Sequence, residues 1–310
     1  MTWSGKRYRS LNHHLREKFG EKVMKISLDG GFTCPNRDGS ISSKGCIFCS
    51  ERGSGDFAGE RLLSIEDQFC QIQDVMNKKW KSGKYIAYFQ AFTNTYDTVE
   101  NLRRKFDEAV AQSGVVGLAI ATRPDCLDEE NVRLIAEYAT RFYVWVELGL
   151  QTASDETAKV INRGYDRRVY EDALRLLKRY GIETVTHVIF GLPGETSEDM
   201  LDTVRYVTEQ GSDGLKFHLL YLVENTPMVK LYEEGKLTFL TKEEYIELIV
   251  KAVGLLDEKT VVHRFTGDSP RKLLIGPKWS LNKWEILNEI DRTLSLHNIS
   301  QGSLRDREEH

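Results

Sequence analysis

Short apolar runs rich in β-branched and aromatic residues alternate with longer stretches in which apolar residues recur every three or four positions. The runs at 23–28, 85–90, 116–121, 142–150, 184–190 and 214–222 read as strands. Helical spacing occupies 64–81, 98–112, 128–139, 154–160, 167–180, 197–210 and 227–234. Within these, Leu174, Leu177 and Tyr180 share one face, as do Met200, Val204 and Val207. Thr196 with Asp199, and Thr241 with Glu244, have capping-box spacing, and Gly181 stands where a glycine closes a helix. Strand–helix alternation on this scale implies a parallel sheet joined by right-handed crossovers. Periodicity alone leaves open a doubly wound sheet or a partial barrel.

No linker rich in Pro, Gly or Ser divides the first 235 residues. Beyond Gly235, further helices are expected at 241–256 and 279–296, followed by a polar tail from His297 that should fray. The expected organisation is a basic N-terminal segment over 1–21, a core over 22–235 and a C-terminal helical extension over 236–310. Residues 6–25 hold seven Lys/Arg against Glu17 and Glu21. They read as a solvated amphipathic helix leading into a strand, or as an arm that contacts phosphates. The formal net charge of −4 excludes a uniformly basic surface, though not a local patch. No apolar run is long enough to span a membrane, and the N-terminus lacks the apolar stretch of a secretory signal. A cytoplasmic location, no membrane association and reduced or metal-bound cysteines are the expectation.

The candidate chemistry lies directly after the first strand. Cys34, Cys46 and Cys49 fall within sixteen residues of a loop rich in Gly, Asn, Asp and Ser. Cys46 and Cys49 have the spacing that brings two thiolates to one metal centre, and Cys34 supplies a third. No fourth cysteine or histidine follows nearby, so the set leaves a coordination position open, whereas a structural zinc needs four closed ligands. A zinc completed by His13 or His14 is the alternative. Cys70, beside Phe69, reads as core, and Cys126 as a buried thiol.

This loop resembles the cluster-binding loop of the radical S-adenosylmethionine (SAM) superfamily, in particular its Elp3-like and oxygen-independent coproporphyrinogen oxidase-like branch. The closest resemblance is to a bacterial family of small radical SAM proteins. Most members have three residues between the first two cysteines. This chain has eleven, as in the Elp3-like branch, and keeps Phe48 before the last cysteine. Further along, Glu147 to Thr152, Ile161 to Gly164 and His187 to Thr196 resemble the motifs that follow it, although relatives often place Asp where His187 stands.

The resemblance implies a partial (β/α)6 TIM-like barrel and a radical SAM enzyme. Cys34, Cys46 and Cys49 would hold a [4Fe–4S] cluster whose fourth iron binds SAM, and reductive cleavage of SAM would give a 5′-deoxyadenosyl radical that abstracts hydrogen from substrate. It implies SAM contacts at Phe48, Gln151, Arg163, His187 and Gly191, with Thr93 and Asn94 in place of the usual contacts to the SAM amino group. An external electron donor of flavodoxin or ferredoxin type is implied as well. The Elp3 likeness makes tRNA one candidate substrate and a small metabolite another. Two different readings stand beside it, a zinc-stabilised RNA-binding module and a catalytically inactive scaffold on the same fold. The mixed segment Val262 to Arg271 reads as a cap on the barrel or as a polar connection.

Overall fold

The computed structural model describes residues 2–53, 55–78 and 83–305. In chain order the elements are α1 (Leu11–Phe19), β1 (Val23–Leu28), α2 (Ile65–Asn77), β2 (Lys84–Phe89), α3 (Val99–Val110), β3 (Val115–Thr122), α4 (Glu129–Ala139), β4 (Tyr143–Gln151), α5 (Asp155–Val160), α6 (Arg167–Arg179), β5 (Glu183–Phe190), α7 (Ser197–Glu209), β6 (Gly214–Leu219), β7 (Leu222–Val223), α8 (Met228–Glu233), α9 (Lys242–Leu255), β8 (Val261–Arg264), β9 (Leu274–Gly276) and α10 (Lys283–Leu296). Both capping boxes form, at Thr196 and at Thr241. The end of the helix expected over 64–81 lies outside the described residues.

Seven parallel strands in the order β1-β2-β3-β4-β5-β6-β8 form a curled half-barrel with helices around it. The seventh strand, β8, comes from the segment whose sequence left a cap and a connection both open. Strand alternation gives the sheet two faces of different character. The outer face, including Ile26, Phe89, Ile120, Val146, Phe190 and Phe217, packs under the helices as one apolar core. The inner face is layered along the strands. Its floor is apolar, with Val23, Ile86, Ala119, Trp145, Val185 and Val261 closed from below by Leu11 and Leu15 of α1. Above the floor the inner face presents Lys25, Tyr88, Glu147, His187, Lys216 and His263, all lining one cavity.

The N-terminal segment is therefore a plug. The Val262 amide donates to the Arg9 carbonyl at 2.8 Å, which ties the chain before α1 to the free edge of β8. Its cations are engaged within the chain: Lys6 pairs with Asp291, Arg7 donates to Asn298, Arg9 donates to the Lys259 carbonyl, and Lys18 lies 4.2 Å over the Tyr143 ring. These contacts favour the helix reading over a free phosphate-binding arm.

The tail does not fray where its polarity suggested. Gln301 is buried, accepts from the Arg9 amide and donates to the carbonyls of Asp257 and Thr260, which anchors the chain as far as Leu304. Its polar groups find partners in main chain rather than water. Cys70 is likewise exposed rather than core, because α2 buries Ile65, Gln68 and Phe69 and turns the next position outward.

Leu15 is 2% exposed at the floor. Leu15→Ala is expected to cost about 2–5 kcal/mol by opening a cavity there, read from denaturant midpoints. Leu62→Ala, at a side chain 93% exposed, should change stability by no more than about 0.5 kcal/mol.

Candidate active site

Three cysteines, two ends of the barrel wall and the charged middle layer share a single cavity of about 600 Å³. Cys34, Cys46 and Cys49 line its mouth together with Phe48, Thr93 and Gln151, and His187 lines it deeper down. All three thiols are half-buried and none is in a disulfide.

The loop that carries the thiols is held in place by the turn after α5. The Ile47 amide donates to the Ile161 carbonyl at 3.1 Å, Asn162 Nδ2 to the Gly45 carbonyl at 2.6 Å, and Asn36 Nδ2 to the Asn162 carbonyl at 2.6 Å. Asn36 Nδ2 also lies 3.5 Å from Cys46 Sγ. Arg37 reaches the carbonyls of Cys49 and Ser50 at 2.8 and 2.6 Å. A loop tied from so many sides presents its sulfurs in a fixed arrangement, as cluster ligation requires. Burial, followed by the neighbouring Cys49, pushes the Cys46 thiol up to about 12, so binding iron must displace its proton.

Arg163 has a different place from the one its motif implied. It is fully buried behind the cavity wall, where Nη1 donates to the carbonyls of Leu150 and Thr152 at 2.6 and 2.7 Å, Nε to that of Tyr165 at 2.9 Å, and Nη2 approaches Asp155 at 3.3 Å. Its fork is spent on main chain, so it is a strut between the end of β4 and the turn that holds the cysteine loop. Asn94 is also off the wall and donates to the Ala121 carbonyl at 2.7 Å. Gly191 sits at φ +92 in a tight turn, with Leu240 beside it, and does not line the cavity. Gln151 does line it. Its φ of 63 and the register shift after Gly149 mark an irregular end to β4, in a left-handed conformation that is uncommon for non-glycine residues. Arg123 lines the cavity while paired to Asp125 at 2.6 Å, and Cys126 lies outside it.

The deep layer centres on Glu147, which has no exposed surface. Its Oε2 accepts from the Tyr88 hydroxyl at 2.8 Å, from Lys216 Nζ at 2.7 Å and from His187 Nε2 at 2.7 Å, while its Oε1 accepts from the Trp145 indole at 3.0 Å. Lys25 Nζ stands 3.9 Å from Oε1. Burial alone would raise this carboxyl, but Lys216, Lys25 and the hydrogen bond from His187 together hold it well below the usual range. It is therefore an anion that fixes His187 as the neutral donor. Lys25, Tyr88, Glu147 and Lys216 escaped the sequence reading as site residues. The available signal was a charged or hydroxylated residue at alternate positions of otherwise apolar strands.

The zinc alternative fares poorly. His13 is engaged by Ser4 and Glu17, and His14 by Tyr143, and neither lines the cavity with the cysteines. Among the described residues, no three His, Cys, Asp or Glu side chains are grouped to hold a single metal ion. Three thiolates that each bind a separate iron of a cluster do not need such a group. Among the described residues, no helix is long and apolar enough to cross a membrane.

A half-barrel with a three-cysteine loop after its first strand defines a class, and comparison with known proteins agrees. The pattern of the Radical SAM superfamily matches residues 34–207, and the Radical_SAM C-terminal domain matches 212–295. The chain belongs to the radical SAM superfamily and is an enzyme of that class. It is 50% identical over 302 residues to the YtqA protein of Bacillus subtilis, covering 97% of this chain and 94% of that one. It is 31% identical over 163 residues to a tRNA uridine(34) acetyltransferase of Dehalococcoides mccartyi, covering 52% of this chain and 35% of that one. The solved structure of Elp3 from Methanocaldococcus infernus shares the fold with a TM-score of 0.67 at 17% identity, over 91% of this chain and 65% of that one.

His187 is held down to about 4 by burial, then by Lys216, against the pull of Glu147. His14 is also lowered to about 4 by burial, and burial lowers His218 and His263 as well. Between about pH 6.5 and 4 the unfolded chain binds protons that the folded chain refuses, so stability falls as pH drops through that window. Thermal unfolding across a pH series should show this loss, and His187→Gln should flatten it by on the order of 2–3 kcal/mol.

Proposed function

We propose that Cys34, Cys46 and Cys49 bind a [4Fe–4S] cluster with one iron open to SAM, and that the chain performs radical chemistry on a substrate held inside the half-barrel. The observation that carries this is the sharing of one cavity by the three thiols at its mouth and a charged layer at its depth. When bound, the cluster and SAM supply one-electron cleavage of a carbon–sulfur bond. The residues of this chain provide the rest. Phe48 offers an apolar face at the mouth, Thr93 and Gln151 offer polar contacts to SAM, and the walls limit access of water to a reactive radical. Arg163 and Asn162 position the loop rather than touch SAM. An external electron donor of flavodoxin or ferredoxin type supplies the electron.

tRNA is the substrate that the comparisons support, through the named activity of the Dehalococcoides relative. A small metabolite is the alternative, and the engagement of the N-terminal cations within the chain weakens one reason for preferring RNA. Salt-dependent retention of tRNA on the immobilised protein, with affinity falling as salt rises, distinguishes the two.

Anaerobically purified protein should be brown, carry about four iron per chain and release 5′-deoxyadenosine from SAM on reduction. Cys46→Ala should lose both. The zinc-stabilised module predicts a colourless protein with one zinc instead, and the inactive scaffold predicts little SAM turnover even with an intact cluster.

A further inference from the structure

The cavity is more positive than the molecule that contains it. Six Lys/Arg line it (Lys25, Arg37, Arg123, Lys216, Arg264, Lys283) against three carboxylates (Asp56, Glu147, Asp268), in a chain whose formal net charge is −4. Several of these cations are accounted for. Arg123 is paired with Asp125, Lys283 with Asp268, and Lys216 with Glu147 and the Tyr88 hydroxyl. Arg37 is tied to the main chain of the cysteine loop.

Two cations, Arg264 and Lys25, have no carboxylate oxygen within hydrogen-bond distance. Arg264 Nη2 lies 2.7 Å from His218 Nδ1 and 3.1 Å from Nε2, of which a neutral ring accepts at only one, and its buried Nε has no partner. Lys25 faces the Tyr88 ring at 4.6 Å, and its nearest carboxylate oxygen, at 3.9 Å, already serves the Trp145 indole. They stand on the two edge strands of the sheet, β1 and β8, line the same cavity, and are near enough for Arg264 to act on the Lys25 ammonium. The buried Nδ1 of His263 is also without a partner and points to the same layer. Burial holds the Lys25 ammonium below its ordinary value, with Glu147 opposing the shift and the neighbouring Arg264 and Lys283 adding to it.

This layer is set apart from the thiols. Glu147 lies four residues before Gln151 along β4, about 13 Å at the rise of a strand; Lys25 stands beside it, and Arg264 meets His218 two residues above Lys216 on β6. Buried polar groups without partners in the protein are filled by water or ligand, and a guanidinium beside an ammonium suits an oxyanion.

We propose that the deep end of the barrel binds an anionic group of the substrate, a carboxylate or a phosphate, between Arg264 and Lys25. This rests on the reading of the cavity as the substrate site. The Glu147–Lys216–Tyr88 network is its rigid backing, and the anion holds the rest of the substrate up toward the mouth.

The test is the thermal midpoint of anaerobically purified protein titrated with inorganic phosphate or with acetate, against chloride at equal ionic strength. A ligand that binds the folded state raises the midpoint by mass action. Wild type should show a saturable rise with at least one anion, and the preferred anion identifies the group. Arg264→Gln and Lys25→Gln should each weaken that binding by about tenfold or more, Arg264→Lys should retain part of it, and the exposed-site control Lys251→Gln should leave it unchanged. General salt stabilisation moves every variant alike. If neither anion outperforms chloride, or if Arg264→Gln and Lys25→Gln both titrate like wild type, the proposal fails. If Arg264→Gln does not fold, the comparison of Lys25→Gln and Arg264→Lys with Lys251→Gln decides it. The measurement does not read iron content or SAM cleavage, so failure of the cluster reading shows separately.

Discussion

An ionised carboxylate removed from water costs several kcal/mol after every relaxation the protein allows, and Glu147 has no access to water at all. It is tolerated because donors reach it from β2, β4, β5 and β6, with Lys25 from β1 and His263 from β8 close by. Each donor stands on the inner face only if its strand is in register, since a slip of one residue would exchange the faces and bring Ile26 or Phe217 inward instead. The carboxylate thus fixes six of the seven strands against one another. An apolar layer of the same volume would tolerate alternative registers more readily. The same requirement makes the barrel interior charged, which is what qualifies it to receive a polar substrate.

The mouth is organised by a second device. Main-chain carbonyls of Leu150, Thr152 and Tyr165 converge on the Arg163 guanidinium, and the Asn162 carbonyl and side chain clasp the cysteine loop from the same turn. The end of β4, which carries Gln151, and the loop, which carries the thiols, are therefore one mechanical unit. Radical chemistry needs the reacting atoms held within fractions of an ångström, and sharing a buried arginine between the two halves of the site achieves that without a dedicated domain.

Much of this was legible in the chain. The six longer strands and the helices after them follow from period and capping, because their apolar faces are long enough to repeat. The three cysteines are legible because a Gly- and Asn-rich loop gives a thiol no packing role. β8 was not legible. It spans four residues, and two of them, His263 and Arg264, are polar because they face the cavity. Arg163 was misplaced because a motif shows the guanidinium but not the carbonyls that surround it. Lys25 and Lys216 were visible as charges within strands, yet only the curl of the sheet shows that they meet. Gln301 looked like tail because its partners, Arg9, Asp257 and Thr260, are far away in sequence.

The joining of the first and last segments bears on how the chain is made. Residues 7–15 are made well before their partners: the edge strand they attach to is Val261–Arg264 and the side chain that clasps Arg9 is Gln301. Until then the segment before α1 lacks the edge strand and the side chain that tie it down. Such late, distant pairing slows folding and leaves partly made chains adhesive. The joining is complete only once Gln301, beyond α10, is available.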